Sequence, residues 1–447
     1  MGVVNGSLKA VLTWQKADQK CLPHYQYQPF PQFLLQNQGR GGLLLELNAI
    51  PTGLVRGEVS AEAYWWTDAQ FLPYNDGQML TTATAYLSHP LRAWVRVRNV
   101  PAGRIVLHRL QTSTVRSEVL KGTQSTVYPK VQPHPLGEAV SFAGAGELNI
   151  VSLRSEPLYT LMRDGNNRAH CFCAISSNGL HLAVLSKSLG FYFLEIFLLD
   201  FRLLQHTKAV ECHKLCKDFK CSSSHNDHAE CKWSPDGSHL ALSSSAGLLL
   251  LVHKMHVQKV RNVCPDLLHV NLSTAASYDF DPRHRFSRLA IGSVDGQLSL
   301  VSADCHDNLS LKAVLHQRAT GKTMDCVQYS PDGAALAVSF RNFSVKVYDS
   351  TDLTVVHKIC MADLCSWLLP RVASGPDPAI MRLSFTNDGC CLATSSCDGK
   401  VRVWAVPRLL TLQESCRKAI ISRIPVWEIR KWGLPQKMLA FLLQDYV

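Results

Sequence analysis

The sequence predicts a mainly β protein: a β-propeller over residues 1–405, followed by a small module of three short helices over 406–447. Three observations carry this. A four-residue turn recurs at blade-sized intervals, a second Asp-Gly turn follows it in several copies, and the last segment changes to an apolar residue every four positions.

The repeats are clearest in the second half. Ser234-Pro235-Asp236-Gly237 precedes Leu240-Ala241, and Ser330-Pro331-Asp332-Gly333 precedes Leu336-Ala337 and Val345-Lys346-Val347-Tyr348-Asp349. Thr386-Asn387-Asp388-Gly389 precedes Leu392-Ala393, Ser395-Ser396, Asp398-Gly399 and Val401-Arg402-Val403-Trp404. Weaker copies start at Asp281-Pro282-Arg283-His284 and at Ser176-Ser177-Asn178-Gly179. The corners fall roughly 46 to 57 residues apart, which suits a four-stranded blade with loop insertions. In each unit a strand meets a Pro/Asp/Gly turn, a second strand carries Leu-Ala and small residues, and an alternating third strand follows an Asp-Gly turn. Small residues suit the crowded centre of a propeller.

Before residue 165 the turns lose their signature. Leu43 to Leu47, Ala93 to Val97, Ile105 to Leu110 and Leu148 to Leu153 still read as strands between Gly- and Pro-bearing turns, so further blades are expected there. The units resemble WD repeats, although only the last keeps its Trp, at Trp404, and no Gly-His pair opens a blade. Seven blades is the number that the resemblance implies.

The C-terminal stretch has a different period. Leu412, Cys416 and Ile420 recur every four residues, with Leu409 one turn earlier, and so form a narrow stripe on a helix that leaves Arg417 and Lys418 off it. Pro425 opens a second short helix, Gly433 ends it, and Pro435 opens a third carrying Met438, Phe441 and Leu442. Three helices of this size close no core alone, so they pack on the preceding domain or await a partner.

The run Thr411-Leu412-x-x-x-Cys416-x-x-x-Ile420 resembles the elongin-C-binding box of a SOCS box, and the chain resembles the WD-repeat and SOCS-box-containing proteins, most strongly over about its last 40 residues and fairly over residues 170 to 405. The resemblance implies a non-enzymatic substrate receptor of an elongin-B/C–cullin RING ubiquitin ligase. Leu412, Cys416 and Ile420 would meet elongin C, and Leu434, Pro435, Met438, Phe441 and Leu442 would dock a cullin. Trp432-Gly433-Leu434-Pro435 keeps only the last two residues of the Leu-Pro-apolar-Pro pattern of cullin-5 users and also resembles the looser cullin-2 pattern, so cullin-5 and cullin-2 both stay open. The competing reading is a propeller scaffold whose last helices cover its own surface.

Composition narrows the rest. Sixteen cysteines scattered over 447 residues, with no signal-peptide pattern in Met1 to Ala10, point to a reducing compartment, cytoplasm or nucleus. The apolar run Leu189 to Leu204 is broken by Glu195, Asp200 and Arg202, so no membrane partner is expected. Much of the net charge of +11 gathers near the C-terminus, where it is either a solvated face or a guide to an acidic partner, and the lack of interleaved aromatics argues against single-stranded nucleic acid. Cys212, His213, Cys216, Cys221, His225, His228 and Cys231 are zinc-ligand types, but their spacing fits no standard knuckle and a polar inter-blade loop is the expected reading, with no metal and no cofactor. No nucleophile elbow, phosphate loop or paired-ligand helix supports catalysis. Arg341-Asn342-Phe343 replaces an Asp-Gly turn on a face where propellers commonly take ligands, which makes Arg341 and Phe343 candidate contacts for an unknown protein substrate.

Overall fold

A computed structural model describes residue 31, most of the chain from 42 to 407, and beyond that Ile420, Ile429, 433–436 and 438–439. Residues 1–30, 32–41, 52–62, 408–419 and most of 421–447, with inter-strand stretches such as 200–208, 215–229 and 366–378, lie outside the described residues.

The described strands fall into seven antiparallel sheets. Blade 1 starts with Tyr64–Leu72 and Asn75–Ser88 and also holds Trp94–Arg96, Ile105–Arg109 and Arg116–Lys121. Blades 2 to 6 each take four consecutive strands, beginning with Val131–Pro133, Ala169–Ile175, Glu230–Trp233, Ala275–Phe280 and Met324–Tyr329. Blade 7 holds Ile380–Phe385, Cys391–Ser396 and Lys400–Ala405, and its fourth strand is Leu43–Asn48 from the other end of the chain. At six of the seven junctions the first strand of one blade neighbours the first strand of the next. Between blades 4 and 5 the link is made by Tyr278, whose hydroxyl donates to the Ala241 carbonyl at 2.9 Å. The ring of seven is thus a propeller with the first strands around its axis.

The closing strand is held by more than its ladder. Leu45 pairs with Val403 and Leu47 with Val401, while Glu46 ion-pairs with Lys400 and accepts from Arg402 Nε at 2.7 Å. Arg402 is 1% exposed and also bonds Asp398 at 2.6 Å and Ser396 at 3.0 Å, so this buried cation has acceptors on three sides. Trp404, also fully buried, donates Nε1–H to Thr394 Oγ1 at 3.0 Å.

The recurrent turn has one geometry. In blade 4 Ser234 Oγ donates to Asp236 at 2.7 Å and accepts the His239 N–H at 2.9 Å, while Gly237 takes φ +67°. Ser330-Asp332, Thr386-Asp388 and Ser176-Asn178 repeat it. At Gly333 a Cβ would lie 2.8 Å from Arg283 and Asp281 side-chain atoms, so the glycine is needed for space as well as for φ.

Each blade buries both faces against its neighbours, and the core is a series of layers between blades. One layer sets Leu80, Leu107, Val140 and Phe142 between blades 1 and 2, and another sets Leu298, Leu300, Val327 and Val338 between blades 5 and 6. The apolar run from residue 189 becomes Phe191–Leu198, the third strand of blade 3, paired on both sides. No helix among the described residues is long and apolar enough to cross a membrane.

Candidate functional site

In a propeller, one edge of each inner strand has no ladder partner and faces the axis, so its N–H and C=O groups need other partners. Side chains from the adjacent blade supply several. Asp68 accepts the Val131 N–H at 2.8 Å, Asp279 the Tyr329 N–H at 2.7 Å, Asp325 the Ala379 N–H at 2.9 Å and Ser384 the Phe71 N–H at 3.1 Å. Gln70 donates to the Val131 carbonyl at 2.6 Å. These polar residues stitch the ring together, and Gln70, Asp279 and Ser384 also line the channel.

Two tiers of side chains follow from the register. One position before Trp233 and its counterparts lie Lys232, Asp279, Gln328, Ser384, Gln70 and Gln132, and all of them border a cavity of about 460 Å³ that opens on the Ser-Pro-Asp-Gly face. Two residues back along the same strands come Glu230, Arg382, Asp68 and, just before blade 2, Lys130. Charges from different blades meet there. Lys130 lies 3.2 Å and Arg382 3.3 Å from Glu230, and Arg382 also lies 3.8 Å from Asp68. Lys232 pairs with Asp279 at 3.3 Å and donates to the Tyr278 carbonyl at 2.8 Å.

Charges so placed survive only if they are paired. Burial raises the Glu230 carboxyl, but Lys130, Lys232 and Arg382 together outweigh it and hold the group down at about 2. At Asp68 and Asp279 the balance reverses: burial raises both carboxyls despite the pull of Arg382 on the first and Lys232 on the second. Burial would lower Lys232, yet Asp279 and Glu230 keep it above its ordinary value, so it stays protonated. Glu230 is therefore the carboxyl that the cluster holds well below its ordinary range.

Of the two proposed target contacts, Phe343 is corrected by its burial. Its side chain is fully buried in the layer shared by blades 6 and 7, so it packs the protein and offers nothing to a partner. It sits at the turn position that Gly399 holds in blade 7, at φ +59°, with Asn342 replacing Asp398 and bonding Ser344 at 2.7 Å. The turn is also no longer than its sisters, since Arg341-Asn342-Phe343 joins its strands with the same three residues as Cys397-Asp398-Gly399. Arg341 keeps partial access but is tied to Asp325, with Nε 3.3 Å from the carboxylate.

Among the docking residues, Ile420 has helical backbone and is half-buried. Leu434 is half-buried, Pro435 is exposed, and Met438, 53% exposed, donates its N–H to the Pro435 carbonyl at 2.9 Å. Leu412, Cys416, Phe441 and Leu442 lie outside the described residues, as do Cys216, Cys221, His225 and His228. Cys231 is buried in blade 4, and the described residues hold no cluster fit for a metal. The channel charges were missed in the sequence because each stands alone in its own strand. The signal that could have found them is the shared offset of Lys232, Asp279 and Gln328 from their turns.

Six four-stranded units and one five-stranded unit around a polar axis, the ring closed by the first strand of the chain, define a β-propeller. The family model for the WD domain, G-beta repeat, matches residues 369–405, which include the repeat ending at Trp404. The last blade of the chain thus carries a WD repeat. The chain is 32% identical over 107 residues to WD repeat and SOCS box-containing protein 1 of Mus musculus, covering 24% of this chain and 24% of that protein. With the protein of the same name from Homo sapiens it shares 40% identity over 60 residues, 13% of this chain and 14% of the relative. The chain thus matches about a quarter or less of the length of these curated relatives. A solved structure of Chaetomium thermophilum Sqt1, bound to the N-terminus of the ribosomal protein L10, matches 77% of this chain and 97% of its own with a TM-score of 0.51 and 13% identity, a likeness of fold.

Proposed function

We propose that this chain is the substrate-recognition subunit of an elongin-B/C–cullin RING ubiquitin ligase. The propeller holds a protein target, and residues 406–447 act as a SOCS box. The observation that carries the reading is the joining, in one chain, of a WD-repeat propeller to the spaced run Leu412, Cys416, Ile420, in a sequence partly similar to WD repeat and SOCS box-containing protein 1. Leu412 fills an apolar pocket of elongin C, Cys416 permits close approach, and Ile420 extends the stripe. Leu434, Pro435, Met438, Phe441 and Leu442 then dock cullin-5 or cullin-2 with its RING subunit. The exposure of Pro435 and Met438 supports their availability.

The chain performs no chemistry in this reading. It raises the effective concentration of target lysines near a charged ubiquitin carrier, in the cytoplasm or nucleus. Co-expression with elongin B and elongin C, followed by gel filtration, tests it: the three co-elute, and Leu412→Ala with Cys416→Phe runs free. A stable chain that elutes without elongins in both forms refutes it. One observation favours a scaffold whose tail covers its own surface, namely that Ile429 is fully buried within the chain itself. In that case the double substitution lowers stability and no elongin is captured.

A further inference from the structure

The channel cavity on the Ser-Pro-Asp-Gly face holds more donor capacity than its own acceptors use. Arg382, 8% exposed and bordering the cavity, makes one hydrogen bond among the described residues, from Nη1 to Glu230 at 3.3 Å, although a guanidinium carries five donors. Its Nε–H is buried and has no acceptor, since Asp68 Oδ1 at 3.8 Å is too distant for a hydrogen bond and is itself unbonded. A buried donor left open costs free energy that a suitable acceptor recovers. Beside it stands Lys232, and on the cavity wall are Gln132 and Gln328, half-buried residues whose side-chain amides bond nothing among the described residues.

We propose that this cavity takes the carboxylate of an Asp or Glu side chain on an extended segment of a partner protein, received by Arg382 and Lys232 with Gln132 and Gln328 gripping the segment's amides. The inference rests on the adaptor reading only in taking the partner to be a captured target. Charge complementarity selects the occupant. The charged residues that border the cavity are two cations, Lys232 and Arg382, against one anion, Asp279, whereas Glu230 and Asp68 are not on its wall. A neutral carbonyl accepts from Arg382 but brings no charge to balance the extra cation, and an added cation meets the two already on the wall.

The test uses the full chain and short N-acetylated, C-amidated peptide libraries, one with a central Glu, one with Gln, and a third with Gln and a free C-terminal carboxylate. Retention of the Glu library about tenfold over the Gln library is expected, with the preference shrinking as salt rises. The double variant Gln132→Glu and Gln328→Glu places negative charge on the wall without touching a bonded group, and it should abolish the preference while leaving the urea midpoint unchanged. Equal retention of Glu and Gln libraries by the unsubstituted chain overturns the proposal, as does retention of the free-carboxylate library alone. Capture of elongin B and C by the same preparation reads the adaptor function separately, so either can fail without the other.

Discussion

Asp325 offers a quantitative check on how the blades are joined. Its carboxylate reaches from the inner strand of blade 6 to the Ala379 N–H of blade 7 at 2.9 Å, and its other oxygen lies 3.3 Å from Arg341 Nε. Burial raises this group from an ordinary 3.8 to about 6, and neither Arg341 nor the two N–H groups of blade 7 offset it. The folded-state value lies above the unfolded one. The contribution to stability is therefore fully present below about pH 4 and is lost as pH rises through 6, with a full swing of about 3 kcal/mol. Asp325→Asn keeps an oxygen for the Ala379 N–H but cannot ionise. Its cost at Arg341 is the same at every pH, so the difference between variant and parent isolates the titration. Urea unfolding of both proteins at pH 4.5 and pH 7.5 should show the variant gaining about 2 kcal/mol on the parent at the higher pH. A difference that is flat with pH, or that moves the other way, would refute the claim that burial outweighs the ion pair here.

Other consequences follow from single residues. Phe343 combines full burial with a left-handed backbone, so Phe343→Ala should cost about 3–5 kcal/mol in chemical denaturation, and Phe343→Gly, though smaller, should be about 1 kcal/mol more stable than the alanine variant because it relieves the backbone. Glu46→Ala removes two partners from the closing strand and leaves buried Arg402 with Asp398 alone as its anion. A loss of roughly 2–4 kcal/mol is expected, together with faster amide exchange along Lys400–Ala405 than in blade 5, which does not touch the seam.

Local signals in the sequence account for the blades that were legible. Ser-Pro-Asp-Gly and its variants fix a turn by their own side chains, so blades 3 to 7 could be read from contacts two to five residues apart. Blade 2 keeps the backbone of that turn, with Gly137 at φ +70°, but not its Ser and Asp, so in blades 1 and 2 only the strands Trp94–Arg96, Ile105–Arg109 and Glu147–Ser152 stood out, between Gly- and Pro-bearing turns. The pairing of Leu43–Asn48 with Lys400–Ala405 joins the two ends of the chain, and no local pattern encodes it. Phe343 misled for a related reason. Exposure was inferred from its place in a turn, whereas the turn points that side chain between two blades. The channel cluster was illegible because Asp68, Glu230 and Arg382 become neighbours only once the ring closes.

The measurement that bears most directly on the adaptor reading is calorimetric titration of the purified full chain with the elongin B–elongin C heterodimer. The account predicts one heterodimer per chain, with Leu412→Ala weakening the affinity about tenfold or more through loss of a buried apolar side chain. If the folded, unsubstituted chain gives no binding heat and no complex by sedimentation, residues 406–447 serve the propeller itself and the ligase reading is wrong.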